Sequence, residues 1–257
     1  MPTCSAAQYS EWTLEKHQQL GGLFRMYVPI VQSLRQNRRL RRFVYFDLYA
    51  GPGLYDHGAS GSPLLAAYAF HNQPWCEALH CFEEDWDTYR KLTASTAAYD
   101  KLIAHHARNQ DGINFDVVKR IPADAYGICF SDPNCGHADS VFGPLEVLNE
   151  VASRWPRVDI VAYLSATNIK RIRASFGGKH LIDQVRSIHK RFVRIRKPSG
   201  RHQWTFILLT GWKDFPEWRK EGWVNLDSPL GLTYLEQLDE TSKERRAREN
   251  PSLFDDE

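Results

Sequence analysis

Between residues 10 and 34, SEWTLEKHQQLGGLFRMYVPIVQSL, apolar side chains return at a period near 3.6: Trp12, Leu20, Leu23, Phe24, Tyr27, Val28, Val31 and Leu34. That spacing predicts an amphipathic helix with Ser10 as its cap before Glu11, interrupted near Gly21-Gly22 or Pro29. The pattern then changes. FVYFDLYA (43–50) is a short β-branched and aromatic run of buried-strand type, followed by glycines. A helix is predicted over 62–71, where Ser62 suits the N-cap and Pro63 the first helical position.

ALHCF (78–82) reads as a second strand, ending in Glu83, Glu84 and Asp85 and followed by a helix from about Trp86 to Leu92. IAHHA (103–107) is a third strand and AYGICF (125–130) a fourth, stopped by SDPNCG. A helix near 144–154 leads into VDIVAYL (158–164), then a basic helical region, then WTFILLTGW (204–212) as a late strand. From about 236 the chain is charged and poor in apolar residues, which predicts a surface helix fraying into disorder. No internal repeat is present.

Strands alternating with helices over this length imply an α/β, doubly wound, mainly parallel sheet of Rossmann-like type with an N-terminal helical extension. The expected organisation is a helical extension (1–42), a main domain (43–235) that includes the basic region 169–202, and a charged tail (236–257). In such a sheet ligands sit beyond the carboxyl ends of the strands. The glycines, the acidic cluster and the SDPN stretch all fall at strand ends.

Composition narrows the classes. With 257 residues, 42% hydrophobic and 25% charged, the chain can bury one large core. It has no apolar run of the roughly 20 residues a bilayer span needs, and MPTCSAAQYSEWTLEKH carries acids where a secretion signal would be basic and then apolar. A cytoplasmic protein with no membrane partner is expected. The five cysteines (Cys4, Cys76, Cys81, Cys129, Cys135) are odd in number and form no C-x-x-C pair, so a disulfide framework or zinc ribbon is not indicated.

The net charge of +2 hides an asymmetry. Residues 169–202 carry eleven Lys or Arg against the single acid Asp183, a segment charge of +10; the remainder holds 22 bases and 30 acids, or −8. Lys170, Arg171, Arg173, Lys179, Arg186, Lys190, Arg191, Arg194, Arg196 and Lys197 are the expected phosphate contacts, and Arg35, Arg38, Arg39, Arg41 and Arg42 form a second cluster. That footprint fits a nucleic-acid partner, DNA ahead of RNA; a solvated basic helix face is the plainer reading.

Three strand ends carry candidate chemistry. In D-x-x-A-G-x-G (47–53), Gly51 and Gly53 let backbone approach a ligand, while Asp47 either accepts from an ammonium or orients the turn. Ser62, after the insertion LYDHGASG, opens a helix whose free N–H groups suit a carboxylate. Glu83, with Asp85 second, is placed to accept from both hydroxyls of a ribose. In Ser131-Asp132-Pro133-Asn134, an acid and a proline-fixed carbonyl can hold an exocyclic amine toward an electrophile, though D-P-N is equally turn vocabulary.

Together these stretches resemble the adenosylmethionine-dependent methyltransferases. D-L-Y-A-G-P-G looks like their first motif, Glu83 like the ribose acid, and S-D-P-N like the D-P-P-Y motif of enzymes that methylate base amino groups. Asn134 and Cys135 replace the second proline and the stacking aromatic; Phe130 and Phe142 are the nearby aromatic residues that would substitute. A closer likeness is to the three-Cys-motif partner family, phage- and mobile-element-associated proteins of methyltransferase-like fold, through Trp12-Thr13-Leu14-Glu15-Lys16-His17, the D-L-x-A-G-P-G turn and Gly61-Ser62-Pro63. The match covers roughly residues 10 to 135.

The resemblance implies S-adenosylmethionine as cofactor, with Asp47, Gly51, Gly53 and Ser62 around its methionine part and Glu83 or Asp85 at its ribose. Asn109 and Asp111 are further candidates for its adenine. Asp132, Pro133 and Asn134 would serve catalysis. The expected activity is methyl transfer to a nucleic acid, with adenine N6 of DNA as acceptor; the alternative is a catalytically silent nucleic-acid-binding partner protein of a phage or mobile element. His17, His57, His105, His106 and His137 lack metal-ligand spacing, so no metal is expected.

Overall fold

A computed structural model of the chain describes residues 11–37, 42–133, 140–172, 180–199 and 203–240. Its strands are β1 (Phe43–Asp47), β2 (Cys76–Glu83), β3 (Leu102–His106), β4 (Tyr126–Ser131), β5 (Val158–Ser165), β6 (Phe192–Ile195), β7 (Trp204–Thr210) and β8 (Val224–Asn225). They form one sheet in the order β3-β2-β1-β4-β5-β7-β6-β8. The first five run parallel; β7 is antiparallel to β5 and β6, and β8 is antiparallel to β6. The expected fold class, α/β with a doubly wound and mainly parallel Rossmann-like sheet, is the one found.

Alternation along β1 shows how both faces are filled. Phe43 and Tyr45 enter one hydrophobic cluster, Val44 and Phe46 the other, because successive side chains of a strand point to opposite faces. Helices α1 (Glu11–Gln36) and α2 (Ser62–Phe70) cover the first face with Leu20, Phe24, Tyr27 and Phe70. On the second lie α6 (Leu145–Arg154), α8 (Leu181–Arg186) and α10 (Pro229–Asp239), through Val147, Val185 and Leu235. Between these elements come α3 (Trp86–Thr96), α4 (Asn109–Gly112), α5 (Asp116–Lys119), α7 (Ala166–Ile172) and α9 (Pro216–Lys220).

The first helix is continuous where an interruption was expected. Pro29 lies inside it, removing one backbone hydrogen bond. Eight buried side chains (Leu20, Leu23, Phe24, Met26, Tyr27, Ile30, Val31, Leu34) hold the helix together across that defect. At roughly 1.5–3 kcal/mol for each fully buried side chain, their gross contribution exceeds the roughly 3 kcal/mol that an internal proline costs. Gly21 faces α2, where an added Cβ would lie 3.7 Å from Leu65. The helix is also tied to the sheet by the Tyr27 hydroxyl, which donates to the buried Asp159 at 2.9 Å.

The basic region departs further from expectation. Where a helical region was expected, its described residues form the end of α7, the whole of α8 and also a strand, β6, which pairs with β7 inside the sheet. Phe192, Val193 and Ile195 supply the β-branched and aromatic spacing that Arg194 between them, and Arg191 and Arg196 on either side, mask. At the other end, α10 runs to Asp239, so the expected boundary at 235 falls within a helix. Among the described residues, no helix is long and apolar enough to cross a membrane.

Candidate functional site

The strand order reverses between β1 and β4: β2 and β3 extend one way from β1, β5 the other way from β4. Ligands of open α/β sheets bind in the crevice at such a point. Asp47 ends β1 and Ser131 ends β4, with Asp132 and Pro133 just beyond.

Asp47 is fully buried and serves the turn. It accepts from the Tyr45 hydroxyl at 2.9 Å and from the Tyr49 N–H at 3.3 Å, and the Ser62 side chain bonds to it as well. Burial pushes its carboxyl up to about 7, against the pull of those hydrogen bonds. Of the two roles expected for Asp47, these hydrogen bonds match the orientation of the turn. Ser62 is likewise turned inward, and Gly61 takes the cap position that the sequence assigned to Ser62.

Gly51 and Gly53 adopt positive φ of 62° and 72°, conformations that favour glycine. A Cβ on Gly53 would meet Ser95 Oγ at 2.4 Å, whereas on Gly51 the nearest atom would be the Tyr55 hydroxyl at 3.7 Å. Gly53 is therefore a packing glycine, whereas a Cβ on Gly51 would make only an ordinary contact with Tyr55. The Gly51 N–H donates to Glu83 Oε2 at 3.0 Å, and the Asp85 N–H donates to Glu83 Oε1 at 2.9 Å. These bonds fix the Glu83 carboxylate while leaving lone pairs on both oxygens. Burial raises its pKa, partly offset by the two hydrogen bonds.

Asp85 does not share that position. It caps α3, accepting from the Thr88 N–H at 2.8 Å, and it is exposed; hydrogen bonds from Thr88 hold its carboxyl below the usual range. Beyond it, Glu84, Asp85, His106, Ala107 and Arg108 line a shallow cavity of about 500 Å³. Trp86 is 55% exposed, with its ring centroid 4.8 Å from that of His106. Asn109 opens α4 and bonds to the Tyr49 side chain, linking the third strand end to the first turn, while Asp111 is exposed on the same short helix.

At the end of β4, Asp132 meets a residue of the first helix. Lys16 Nζ lies 2.7 Å from Asp132 Oδ2, both side chains largely buried, and 4.8 Å from the centre of the Tyr163 ring. The Pro133 carbonyl accepts from Asn168 Nδ2 at 3.5 Å. Asn134 and Cys135 lie outside the described residues. Phe130 and Phe142 are buried in the two cores and do not face the crevice, so neither supplies the missing aromatic; the ring beside Asp132 is Tyr163.

Tyr55, from the insertion after Gly53, shows that the strand ends converge. Its phenol is pushed up to about 12, first by burial and then by the negative charges of Asp132, Asp47 and Glu83. One hydroxyl thus feels the acids of β1, β2 and β4 together. His17 packs against it at 5.7 Å and His57 at 5.8 Å. Burial, then Lys16, lowers His17 to about 4, which keeps it neutral near pH 7. In the sequence, Lys16 and His17 belong to a motif with no role attached to either. Tyr55 and Tyr163 carried no signal.

The expected phosphate contacts divide. Lys170, Arg171, Arg191 and Lys197 are exposed. Arg186 is exposed but pairs with Asp227 at 3.2 Å. Three residues are committed internally, which corrects the expectation for them. Arg194 is buried, paired with Asp214 at 3.0 Å and stacked 4.9 Å over Trp218. Lys190 donates to the carbonyls of Trp155 and Pro156 at 3.3 and 3.0 Å. Arg196 lies 5.9 Å over Trp223 and its pKa is lowered by burial. Arg173 and Lys179 lie outside the described residues, as do Arg38, Arg39 and Arg41. Cys76, Cys81 and Cys129 are buried free thiols, and among the described residues no cluster of three or more metal-binding side chains occurs.

No protein-family model matches the chain, so the likeness to the three-Cys-motif partner family stays a resemblance; no curated protein matches either. Solved structures do. The chain is similar to protein LPL1258 from Legionella pneumophila str. Philadelphia 1, with 15% identity over 80% of this chain and 87% of that one and a TM-score of 0.55. That likeness is one of fold. Remoter likenesses are the METTL16 MTase domain (15% identity, TM-score 0.48, 81% and 71% covered) and M. jannaschii TYW2 in complex with AdoMet (11%, 0.43, 79% and 76%).

Proposed function

We propose that this chain is an S-adenosylmethionine-dependent methyltransferase that acts on an exocyclic amine of a nucleic-acid base, with adenine N6 of DNA as the leading acceptor. The observation that carries the reading is that β2, β1 and β4 are neighbours at the reversal of strand order, so that the ends bearing Glu83, Asp47 and Asp132 lie side by side, with the Gly51 N–H bonded to Glu83 at 3.0 Å. The residues fit the cofactor: Gly51, at positive φ, turns the chain beside Glu83 without a side chain of its own, and Glu83 keeps acceptor capacity for a vicinal diol. When bound, the cofactor supplies an electrophilic methyl group on a sulfonium.

The chain's own groups would do the rest. Glu83 and the backbone at Gly51 hold the nucleoside, Asp132 and the Pro133 carbonyl orient the acceptor amine, and Asp47 keeps the turn in shape from beneath. An amine stacked in a duplex is out of reach, so the base must leave the helix, with Lys170, Arg171, Arg191 and Lys197 available to phosphates. Incubation with tritiated cofactor and DNA or RNA tests this. Incorporation into DNA, as N6-methyladenine by nucleoside mass spectrometry, is expected; tight cofactor binding without label in any nucleic acid would overturn it.

A second reading, a nucleic-acid-binding partner that does not transfer, is favoured by one observation: Asp132 and the Pro133 carbonyl already have partners in Lys16 and Asn168. Asp132→Ala separates the two. Transfer collapses with affinity intact under the first, and neither property changes under the second.

A further inference from the structure

The contact between Lys16 and Asp132 joins residues 116 positions apart and is the most buried carboxylate–lysine pair among the described residues, with side chains 8% and 14% exposed. Nothing in the proposed chemistry requires a cation there. A carboxylate withdrawn from water toward a second buried acid, Asp47, is unfavourable unless a neighbouring positive charge compensates it. Lys16 is the cation that the structure provides.

Its own position is well determined. The face of Tyr163 lies 4.8 Å from Nζ, and a cation over an aromatic face is attracted to it. One turn on, α1 is locked into the core by Leu20, Leu23 and Phe24, and Glu15 on the same turn accepts from Ser199 Oγ at 3.0 Å. The ammonium takes Oδ2 and leaves Oδ1 for another donor. Asn168 does the same at Pro133: a carbonyl oxygen has two lone pairs, and one is engaged at 3.5 Å.

We infer that Lys16, carried by the first helix, is a positioning residue of the acceptor site, holding Asp132 through Oδ2 so that its other oxygen receives the acceptor amine beside the Pro133 carbonyl. The inference rests on the methyl-transfer reading and extends it: the N-terminal helix becomes part of the reaction centre. It also gives the lysine of the W-T-x-x-K-H stretch a purpose that the sequence alone did not suggest.

A double-mutant cycle on the full chain tests it, with Lys16→Met, Lys16→Arg, Asp132→Asn and the Met/Asn double variant. Each is assayed for tritium transfer to DNA and for cofactor affinity by calorimetry. Expected for Lys16→Met is a fall in kcat of a hundredfold or more, with KM for the cofactor changed less than threefold. Lys16→Arg should recover at least a tenth of the wild-type rate, and Lys16→Met should cost nothing further on the Asp132→Asn background. Unchanged or faster transfer by Lys16→Met overturns the inference, since a faster variant would make Lys16 a competitor for the acceptor's place. Additive losses in the cycle overturn it as well. Cofactor binding without transfer by the wild-type protein brings down the transfer reading itself, a result separable from either of those.

Discussion

The Gly51 N–H donates to Glu83 Oε2 at 3.0 Å, so the turn after β1 and the end of β2 form a single bonded unit before any ligand arrives. The other Glu83 oxygen accepts from the Asp85 N–H at 2.9 Å. Glu83→Gln would set an amide NH₂ against one of those two backbone donors, leaving an unsatisfied group in a half-buried place. A hydrogen bond to a charged group contributes about 1.5–3 kcal/mol. The expected loss in cofactor affinity is therefore about ten- to a hundredfold, read by calorimetry. Because burial raises the Glu83 pKa, affinity should also begin to fall on acidification above the ordinary glutamate range, as the acceptor becomes protonated.

The glycines of the turn should respond unequally to alanine. At Gly53 a Cβ would lie 2.4 Å from Ser95 Oγ and 3.2 Å from Leu92, at a φ of 72°. Gly58 also has positive φ, 85°, but nothing within 4 Å. Gly53→Ala should cost roughly 2–4 kcal/mol in denaturant unfolding, strain and clash together. Gly58→Ala should cost only the strain, about 1–2 kcal/mol.

Stability should carry a histidine signature below neutral pH. His80 Nδ1 and His105 Nε2 are 3.0 Å apart in a buried stack, and burial lowers both to about 4. The unfolded state takes up protons near 6.5 while the folded state does not, so the stability they contribute is complete above 6.5 and is lost as pH falls toward 4. For His80 alone this is on the order of 3 kcal/mol. Asp47, raised to about 7, and Asp159, raised to about 6, act in the opposite sense, their cost growing as pH rises. Unfolding at pH 7, 5.5 and 4.5 is expected to show a shallower acid loss in the H80L/H105L variant than in the wild type.

The basic side chains should separate by burial. Lys170→Ala with Arg171→Ala removes two exposed charges. Nucleic-acid affinity should weaken, and the slope of log K against log salt should shrink by about 0.9 for each phosphate no longer neutralised. Arg194→Ala should leave that slope unchanged and instead cost roughly 1–3 kcal/mol of stability, since its partners are Asp214 and the Trp218 ring.

The strands were legible because each is a short buried apolar run, and the chemistry at their ends was legible because glycine, acid and proline punctuate those runs. Asp47, Gly51, Glu83 and Asp132 were singled out this way, and the structure places them at the ends of three neighbouring strands. Ser62 and Asp85, read as ligand contacts, bond to Asp47 and to the Thr88 N–H, partners that the sequence did not suggest, since a side chain at a helix start serves the nearest backbone or acid as readily as a ligand. Strand β6 was missed because Arg194 and Arg196 alternate with its apolar residues, a polar pattern that looks helical when charge is counted before periodicity. The pairing of Lys16 with Asp132 had no local signature at all: it exists only once the first helix lies across the sheet.

That helix joins the two poles of the molecule. Lys16 touches Asp132 past the end of β4, and Tyr27 touches Asp159 at the start of β5. At 1.5 Å per residue the two contacts are separated by about 16 Å along one rigid rod. A strut bolted at its far end transmits tilt: disturbing a buried phenol on the underside would swing the ammonium at the top, detuning the crevice without a single substitution inside it.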